Sequence, residues 1–294
     1  MIIPETFSKI KIEFYSWTYE FFSCSFFVMS KTKRLFLFAA YVKDGVVDKS
    51  LMYYVRALSD CGDVVLCMDS NCSDRELEKL KNFTVHTISR RHGEYDFGSY
   101  KRAFMWAQKN LDFCNYDFVY LVNDSVYGPV SNVKIDSILT DLEKQGDFIG
   151  MVSNQDIGVS RHIQSWFVGV GKRIATSKMF AQFISSIKKQ KNKNDIVMKY
   201  EIGLSEFVTT AFHIDMHVLF EQDNHMCNTM YNKPYIPVKY GMPFIKKSAI
   251  RHMLSWSFLK KYIGNDILYN TIKLNGLHIK PRPIKCMWAR LHGF

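Results

Sequence analysis

Three separated groups of polar residues in this chain have the types and spacing to do chemistry. The first is Arg91-His92-Gly93-Glu94-Tyr95-Asp96-Phe97-Gly98, a glycine-punctuated loop with basic and acidic side chains. Glycine reaches positive φ and lets backbone approach a ligand closely. Arg90 and Arg91 can grip phosphate oxygens with a forked guanidinium, and Asp96 can accept hydrogen bonds from a base or a ribose. Backbone N–H groups opening the next helix can receive an anion. The second group, Asn123-Asp124-Ser125, ends the apolar run Phe118 to Val122. A carboxylate that closes a buried strand lies at the carboxyl edge of an open α/β sheet, where such sheets bind ligands, and there it seeks a metal or a phosphate site. The third, His162, Gln164 and Ser165, leads into the apolar Trp166-Phe167-Val168, a setting suited to hydrogen-bonding a polar ligand.

Each group also has a plainer structural reading. Asn-Asp-Ser favours turns, Asp96 can cap a helix start, His162 can be a core histidine, and Trp166 is better suited to a core than to a sugar face. The sequence contains no HExxH, GxSxG, P-loop or GxGxxG pattern, so zinc-protease, serine-hydrolase and nucleotide-motif chemistries have no support.

The elements that must position these groups alternate. Leu35 to Tyr41 is a continuous apolar run and reads as a strand buried on both faces. Asp48 to Asp60 reads as a helix, Asp63 to Met68 as a strand, and Thr84 to Ile88 as a third strand. Ser73, with Glu76 three residues on, reads as a capping box opening a helix. Ser99 to Leu111 is expected to be helical, followed by the strand that ends at Asp124. Val133 to Lys144 and Ser177 to Lys189 read as helices, with strands at Phe148 to Val152 and Gln164 to Gly171. Ser205 to Phe212 reads as part of a further helix and Asp215 to Phe220 as an edge strand. This alternation predicts an α/β fold with a mostly parallel sheet flanked by helices, and a helical C-terminal segment.

The chain has 294 residues, 47% of them hydrophobic, enough for one large α/β domain. Residues 31–294 read as that domain, with a helical annex from about 248. Lys and Arg total 39 against 28 Asp and Glu, a formal charge of +11, which attracts polyanions such as nucleotide diphosphates or anionic headgroups. The basic residues fall in short scattered clusters, a pattern closer to a membrane-facing protein than to a nucleic-acid groove, and no nucleic-acid partner is expected. Seven cysteines without CxxC spacing point to reduced thiols in a cytosolic compartment. Residues 1–30 carry an apolar stripe (Phe7, Ile10, Phe14, Trp17, Phe21) beside lysines. Three readings stay open for them: an interfacial helix, a helix packed on the domain, or residues preceding a native start at Met29.

The segment Arg91 to Pro129 resembles the rhamnan synthesis protein F family of bacterial glycosyltransferases. In that family an arginine-rich G-x-D-F-G-S-Y-like core precedes a strand ending N-D-S-x-Y-G-P. Four further pieces match in order: Tyr41-Val42-Lys43-Asp44-Gly45, His162 to Phe167, Tyr200 to Ser205, and Pro243-Phe244-Ile245-Lys246-Lys247. The resemblance implies a GT-A-like, Rossmann-type fold and a nucleotide-sugar-dependent hexosyltransferase, with rhamnose the sugar suggested by the family name. It implies donor contacts from Arg91, Gly93, Asp96, Gly98, Asp124 and Ser125, and acceptor or sugar contacts from His162, Gln164 and Ser165. It also implies a divalent cation, Mg²⁺ or Mn²⁺, on Asp124, although the motif has one carboxylate where such enzymes usually have two. A carboxylate base for an inverting transfer falls on Glu201, with Glu206 as its substitute; Glu201 also reads as a first-turn glutamate complementing a helix dipole. The implied acceptor is a lipid-linked surface glycan at the cytoplasmic face of a bacterial membrane, with peripheral membrane contact. The alternative reading is a non-catalytic relative that binds nucleotide or glycan as a scaffold.

Overall fold

The computed structural model describes residues 31–130, 134–156, 159–222, 230 and 235–249. The expectations for residues 1–30, and for the C-terminal annex apart from Ser248 and Ala249, lie outside the described residues.

The run RLFLFAA forms β1 (Arg34–Ala40), and every residue of it is buried. Burying each Leu or Phe side chain is worth roughly 1.5–3 kcal/mol, more than the whole ~1 kcal/mol spread of strand propensity. Such a segment belongs at the sheet centre with both faces covered. β2 (Asp63–Met68) and β3 (His86–Ser89) follow on one side, and β4 (Phe118–Asn123) pairs β1 on the other, all parallel. The two-residue period assigns the side chains. Leu35, Leu37 and Ala39 enter one core, whereas Phe36, Phe38 and Ala40 enter the other.

Helices supply each cover. On the first face α3 (Tyr95–Asn110) packs Phe97, Tyr100, Ala103, Phe104 and Ala107, spaced three and four apart. The second face is covered by α1 (Lys49–Ser59) and α4 (Ile135–Glu143), through Leu51, Val55 and Leu58 and through Leu139 and Leu142. Asp48 caps α1 by accepting from the Leu51 N–H at 2.8 Å. Arg34, at 1% exposure, pins α4 to the sheet by donating to both carboxylate oxygens of Glu143 and to Asp136. Burial alone would lower the Arg34 pKa, but these carboxylates outweigh it and raise it.

Beyond β4 the direction changes. The ribbon strand β5 (Val126–Tyr127) leaves the main sheet, and β6 (Phe148–Asp156), β7 (Val159–Ile163) and β8 (Phe167–Gly171) complete it in the order β3-β2-β1-β4-β8-β6-β7. These last pairings are antiparallel. The strand β9 (His217–Phe220) pairs β6 in parallel. The expected α/β class is observed, and four of the seven described pairings in this sheet are parallel. Strand order reverses between β1 and β4, the point where open α/β sheets leave a crevice for ligands.

Several local expectations change. Helix α3 starts at Tyr95, four residues early, so Asp96 and Gly98 belong to its first turns and not to a loop. Ser73 precedes the short helix α2 (Asp74–Glu78), but its side chain makes no capping bond. Glu76 instead accepts from the Val47 N–H at 2.7 Å and pairs with Lys79. The expected strand Gln164 to Gly171 is a turn followed by β8, with β7 ending just before it. Among the described residues, Cys67, Cys72 and Cys114 are free thiols.

Candidate active site

The register of the central strands builds the floor of the site. Ala39 lies opposite Asn123, so β1 and β4 end at one level, and the Asp124 N–H donates to the Ala39 carbonyl at 3.1 Å. The Asn123 side chain locks the junction. Its Oδ1 accepts from the Ser125 N–H at 3.0 Å and its Nδ2 donates to Asp96 Oδ2 at 2.8 Å. On the other flank the Asn123 N–H donates to the Trp166 carbonyl at 3.0 Å, which seats the Ser165-Trp166 turn beside the strand end.

A second carboxylate holds the glycine loop. Asp69, just past β2, accepts from the N–H groups of His92 at 2.6 Å and Gly93 at 2.9 Å. Burial alone would raise the Asp69 pKa, but those two N–H donors and the nearby basic side chains hold it below the usual carboxylate range. Gly93 takes φ +66°, the left-handed region that glycine enters without strain. Outside this loop the Arg91 guanidinium lies over the Tyr41 ring, 5.6 Å from its centroid.

The carboxylate Glu201 sits on an irregular helix. Lys193–Ile196 forms α5, Val197–Ile202 widens into a π-helical turn, and Gly203–Phe212 continues as α6. Wide turns of this kind recur at functional sites. Within it, Glu201 Oε2 accepts from the Ser165 N–H at 2.9 Å and also from the Ser165 hydroxyl. Its Oε1 lies 3.7 Å from His162 Nε2, and the other ring nitrogen of His162 lies 2.8 Å from the Ser160 carbonyl. Glu201 thus occupies the middle of a continuous helical stretch and not a helix start.

The opposite wall comes from far along the chain. β10 (Ile245–Lys246) pairs β5 antiparallel, with Lys246 opposite Val126. Lys246 donates from Nζ to Ser125 Oγ at 3.1 Å and stands over the Trp166 ring at 5.1 Å. The next residue, Lys247, donates its N–H to the Ser125 carbonyl and places Nζ 3.5 Å from Asp124 Oδ2. Gly128 makes this ribbon possible, because a Cβ there would lie 2.5 Å from Phe244 Cδ1.

Two adjoining cavities result. One, of about 570 Å³, is lined by Tyr41, Asp69, Arg91, Gly93, Tyr95, Asp96 and Ser125 and by Lys189, Lys191 and Lys193. The other, of about 550 Å³, shares Tyr41, Tyr95, Asp96, Ser125 and Lys193 and adds Ser165, Trp166, Glu201, Lys246 and Lys247. Asp124 lies against Lys247 in a smaller hollow of about 330 Å³ beneath Tyr41. Charge inside the cleft is finely opposed. Burial, then the charge of Asp124, pushes the Asp96 carboxyl up to about 7, with Glu201 adding to it and Lys193 and Lys246 opposing it. Burial pushes Lys246 down to about 7 against the pull of Glu201 and Asp96. Burial alone would lower Lys247, but Asp124, Asp48 and Tyr127 together outweigh it and the pKa goes up.

A family model described as rhamnan synthesis protein F matches residues 64–274. The chain belongs to that family. A curated relative, the uncharacterized protein y4gN of Sinorhizobium fredii, is 22% identical over 168 residues, which cover 56% of this chain and 43% of the relative. The chain thus spans less than half the length of that relative. Among solved structures, a cytidylyltransferase from Leptospira borgpetersenii is similar at TM-score 0.38 and 12% identity, covering 86% of this chain and 98% of the other. A Desulfovibrio desulfuricans protein provisionally named a nucleotide-diphospho-sugar transferase gives TM-score 0.37 and 13% identity, with 82% and 98% covered. Core-mannan synthase A from Aspergillus fumigatus, in an Mn/GDP form, gives 0.34 and 10%, with 60% and 70% covered.

The residues that carried the family resemblance converge. Arg91, Gly93, Asp96, Ser125, Ser165 and Glu201 all line the paired cavities, and Asp124 lines the hollow beside them. Four others stand apart. Gly98 faces the Glu94 side chain inside α3, where a Cβ would lie 2.3 Å from Glu94 Cβ, so its role is helix packing. The Gln164 side chain is buried and accepts from the Trp166 indole N–H at 2.9 Å, which orients the tryptophan. Glu206 is exposed and accepts from the Ser160 hydroxyl at 2.7 Å, away from the residues lining the cleft. His162 is buried behind Glu201.

Sequence reasoning gave no site role to Asp69, Lys193, Lys246 or Lys247, although the last two fall in a piece that carried the family resemblance. Asp69 had the same signal as Asp124, a carboxylate straight after an apolar strand. A divalent cation on Asp124 fits the described residues poorly. The strand end offers one carboxylate, Lys247 already pairs with it, and Lys246 bonds the neighbouring Ser125 hydroxyl. Among the described residues no group of three or more His, Cys, Asp or Glu could hold a metal ion.

Proposed function

We propose that this chain transfers a sugar from a nucleotide-diphosphate donor to a lipid-linked surface polysaccharide of the O-antigen, capsule or rhamnan type, with inversion at the anomeric carbon. One observation carries the reading: chain segments spread from Tyr41 to Lys247 meet in two adjoining cavities, lined by Arg91 and several lysines together with the carboxylates Asp96 and Glu201. The cleft lies at the strand-order reversal, where open α/β sheets bind ligands. Its lysines and Arg91 suit a diphosphate, and the Tyr41 and Tyr95 rings offer faces to a base.

In this reading Glu201 takes the proton of the acceptor hydroxyl as the acceptor oxygen bonds to the anomeric carbon. The bond from that carbon to the diphosphate oxygen breaks, and its electron pair leaves with the nucleoside diphosphate. Ser165 orients Glu201 through two hydrogen bonds, and His162 backs its other oxygen. Rhamnose as the sugar, from a deoxythymidine-diphosphate donor, follows the family name. Action at the cytoplasmic face of a bacterial membrane belongs to the same proposal. Among the described residues no helix is long and apolar enough to cross a membrane.

Titration with a panel of nucleoside diphosphates, followed by turnover of Glu201→Gln, tests the reading. Loss of a general base should lower turnover about 10²–10⁴-fold while nucleotide binding stays within a few-fold. A panel without any binder would overturn the donor assignment. Unchanged turnover in Glu201→Gln, or a product that keeps the donor's anomeric configuration, would overturn the role of Glu201.

A further inference from the structure

A nucleotide-diphosphate leaving group needs positive charge where its bond to the sugar breaks, because electron density collects on the departing phosphate oxygen. Family resemblance assigns that charge to a divalent cation on Asp124, yet the place beside Asp124 is taken by an ammonium group. Lys247 Nζ lies 3.5 Å from Asp124 Oδ2, and Lys246 Nζ lies 3.1 Å from Ser125 Oγ on the cleft side of the same turn. The backbone sets both positions. The β5–β10 ribbon fixes Lys246 opposite Val126, and the Lys247 N–H is bonded to the Ser125 carbonyl. A divalent ion placed there would meet one carboxylate already paired with Lys247 and a second lysine bonded to the next residue, a poor donor set for Mg²⁺ or Mn²⁺.

We propose that Lys246 and Lys247 are the cationic group of this site, contacting the diphosphate of the donor and stabilising its departure without a divalent metal. The inference rests on the transferase reading above. In it the electron pair of the breaking carbon–oxygen bond passes to the terminal phosphate oxygen of the nucleoside diphosphate. The two ammoniums hydrogen-bond the charge that develops there, and the proton of the acceptor goes to Glu201. Lys246 ends β10 and Lys247 follows it, so the two ammoniums reach the Asp124-Ser125 turn from adjacent backbone positions. Lys246 faces the cavity of Glu201 and Trp166, and Lys247 spans that cavity and the hollow of Asp124. A Lewis acid in one spot is thereby replaced by two charges that bracket the Asp124-Ser125 turn.

The test uses the full chain and the nucleoside diphosphate that binds best in the panel, titrated by calorimetry in EDTA and in Mn²⁺. Affinity in the two conditions should agree within about threefold. Hydrogen bonds to charged groups are worth about 1.5–3 kcal/mol. Lys247→Met and Lys246→Met should each weaken binding about tenfold to a hundredfold in EDTA, without rescue by Mn²⁺. Lys246 is buried, so the half-exposed Lys247 is the variant whose folding is safest, and melting curves accompany both. Binding more than tenfold tighter in Mn²⁺ would overturn the inference while leaving the transferase reading intact. So would wild-type affinity in a folded Lys247→Met. Absence of binding to every nucleoside diphosphate, in both conditions, would remove the transferase reading and this inference with it.

Discussion

Donor affinity should fall as pH rises through neutrality, and Asp96→Asn should remove about half of that slope. Asp96 and Lys246 face the same cavity, and the pKa of each lies at about 7. At pH 6 the carboxyl is mostly neutral and the amine mostly charged; at pH 8 the reverse holds. The cleft loses two units of positive charge across that interval, so an anion binds less well at the higher pH. The two groups titrate as a coupled pair, but both protons leave over the same range and the sign does not depend on which leaves first. A unit charge ~8 Å from a phosphate charge, at an effective dielectric of about 20, contributes ~2 kcal/mol. Asp96 is half-buried, and solvent screening reduces each contribution to ~1 kcal/mol. Two such contributions give about a thirtyfold weakening from pH 6 to pH 8, and the Lys246 contribution alone about fivefold. A nucleotide sugar is the right ligand for the calorimetric titration, because its diphosphate is esterified at both ends and does not titrate in this interval. Affinity that is flat or tighter at pH 8 would refute the electrostatic account, as would an Asp96→Asn protein that keeps the full slope.

Two further outcomes follow from the supports of the site. Asp69→Asn should destabilise the protein by about 1–3 kcal/mol at pH 7 by weakening the acceptor for the His92 and Gly93 N–H groups. Its folded pKa is depressed, so this stability is present above the unfolded value of about 3.9 and is lost as pH falls through the folded pKa. Thermal melts of both proteins should therefore converge at low pH, and a gap that persists at pH 2 would contradict it. Gly128→Ala should cost about 1–3 kcal/mol, because its Cβ meets Phe244 Cδ1 at 2.5 Å and Pro243 O at 2.6 Å. Relief of that clash moves β10, so nucleotide affinity should drop as well, and a variant with wild-type affinity and melting temperature would show that the ribbon is not held as described.

Much of the scaffold was legible because its signals are local. The apolar run that became β1 has no other place than a sheet centre, and Asp63 to Met68 formed the strand expected of it. Ten residues of alternation or periodicity are enough to define an element of that kind. Signals failed where tertiary contacts reassign a residue. Helix α3 begins at Tyr95, which holds φ +57° within a loop tethered from Asp69, and no local pattern carries that information. Glu76 matched a capping box, yet the Val47 N–H lay closer to hand than the backbone of Ser73. Glu201 and Glu206 could not be ranked from spacing alone. On a regular helix five residues turn about 140°, so only one of the two can face a given cleft, and the π-helical turn and Ser165 select Glu201.

By itself, the sequence determined the alternating α/β order, the acidic group at the end of β4 and the family to which the chain belongs, since these depend on patterns within short stretches. The pairing of β5 with β10 was decided only by the tertiary structure. Two-residue strands carry no periodic signal, and the contact from Lys246 to Ser125 spans 121 positions. That pairing sets the charge facing Asp124, because it brings the Lys247 ammonium across the fold to 3.5 Å from that carboxylate.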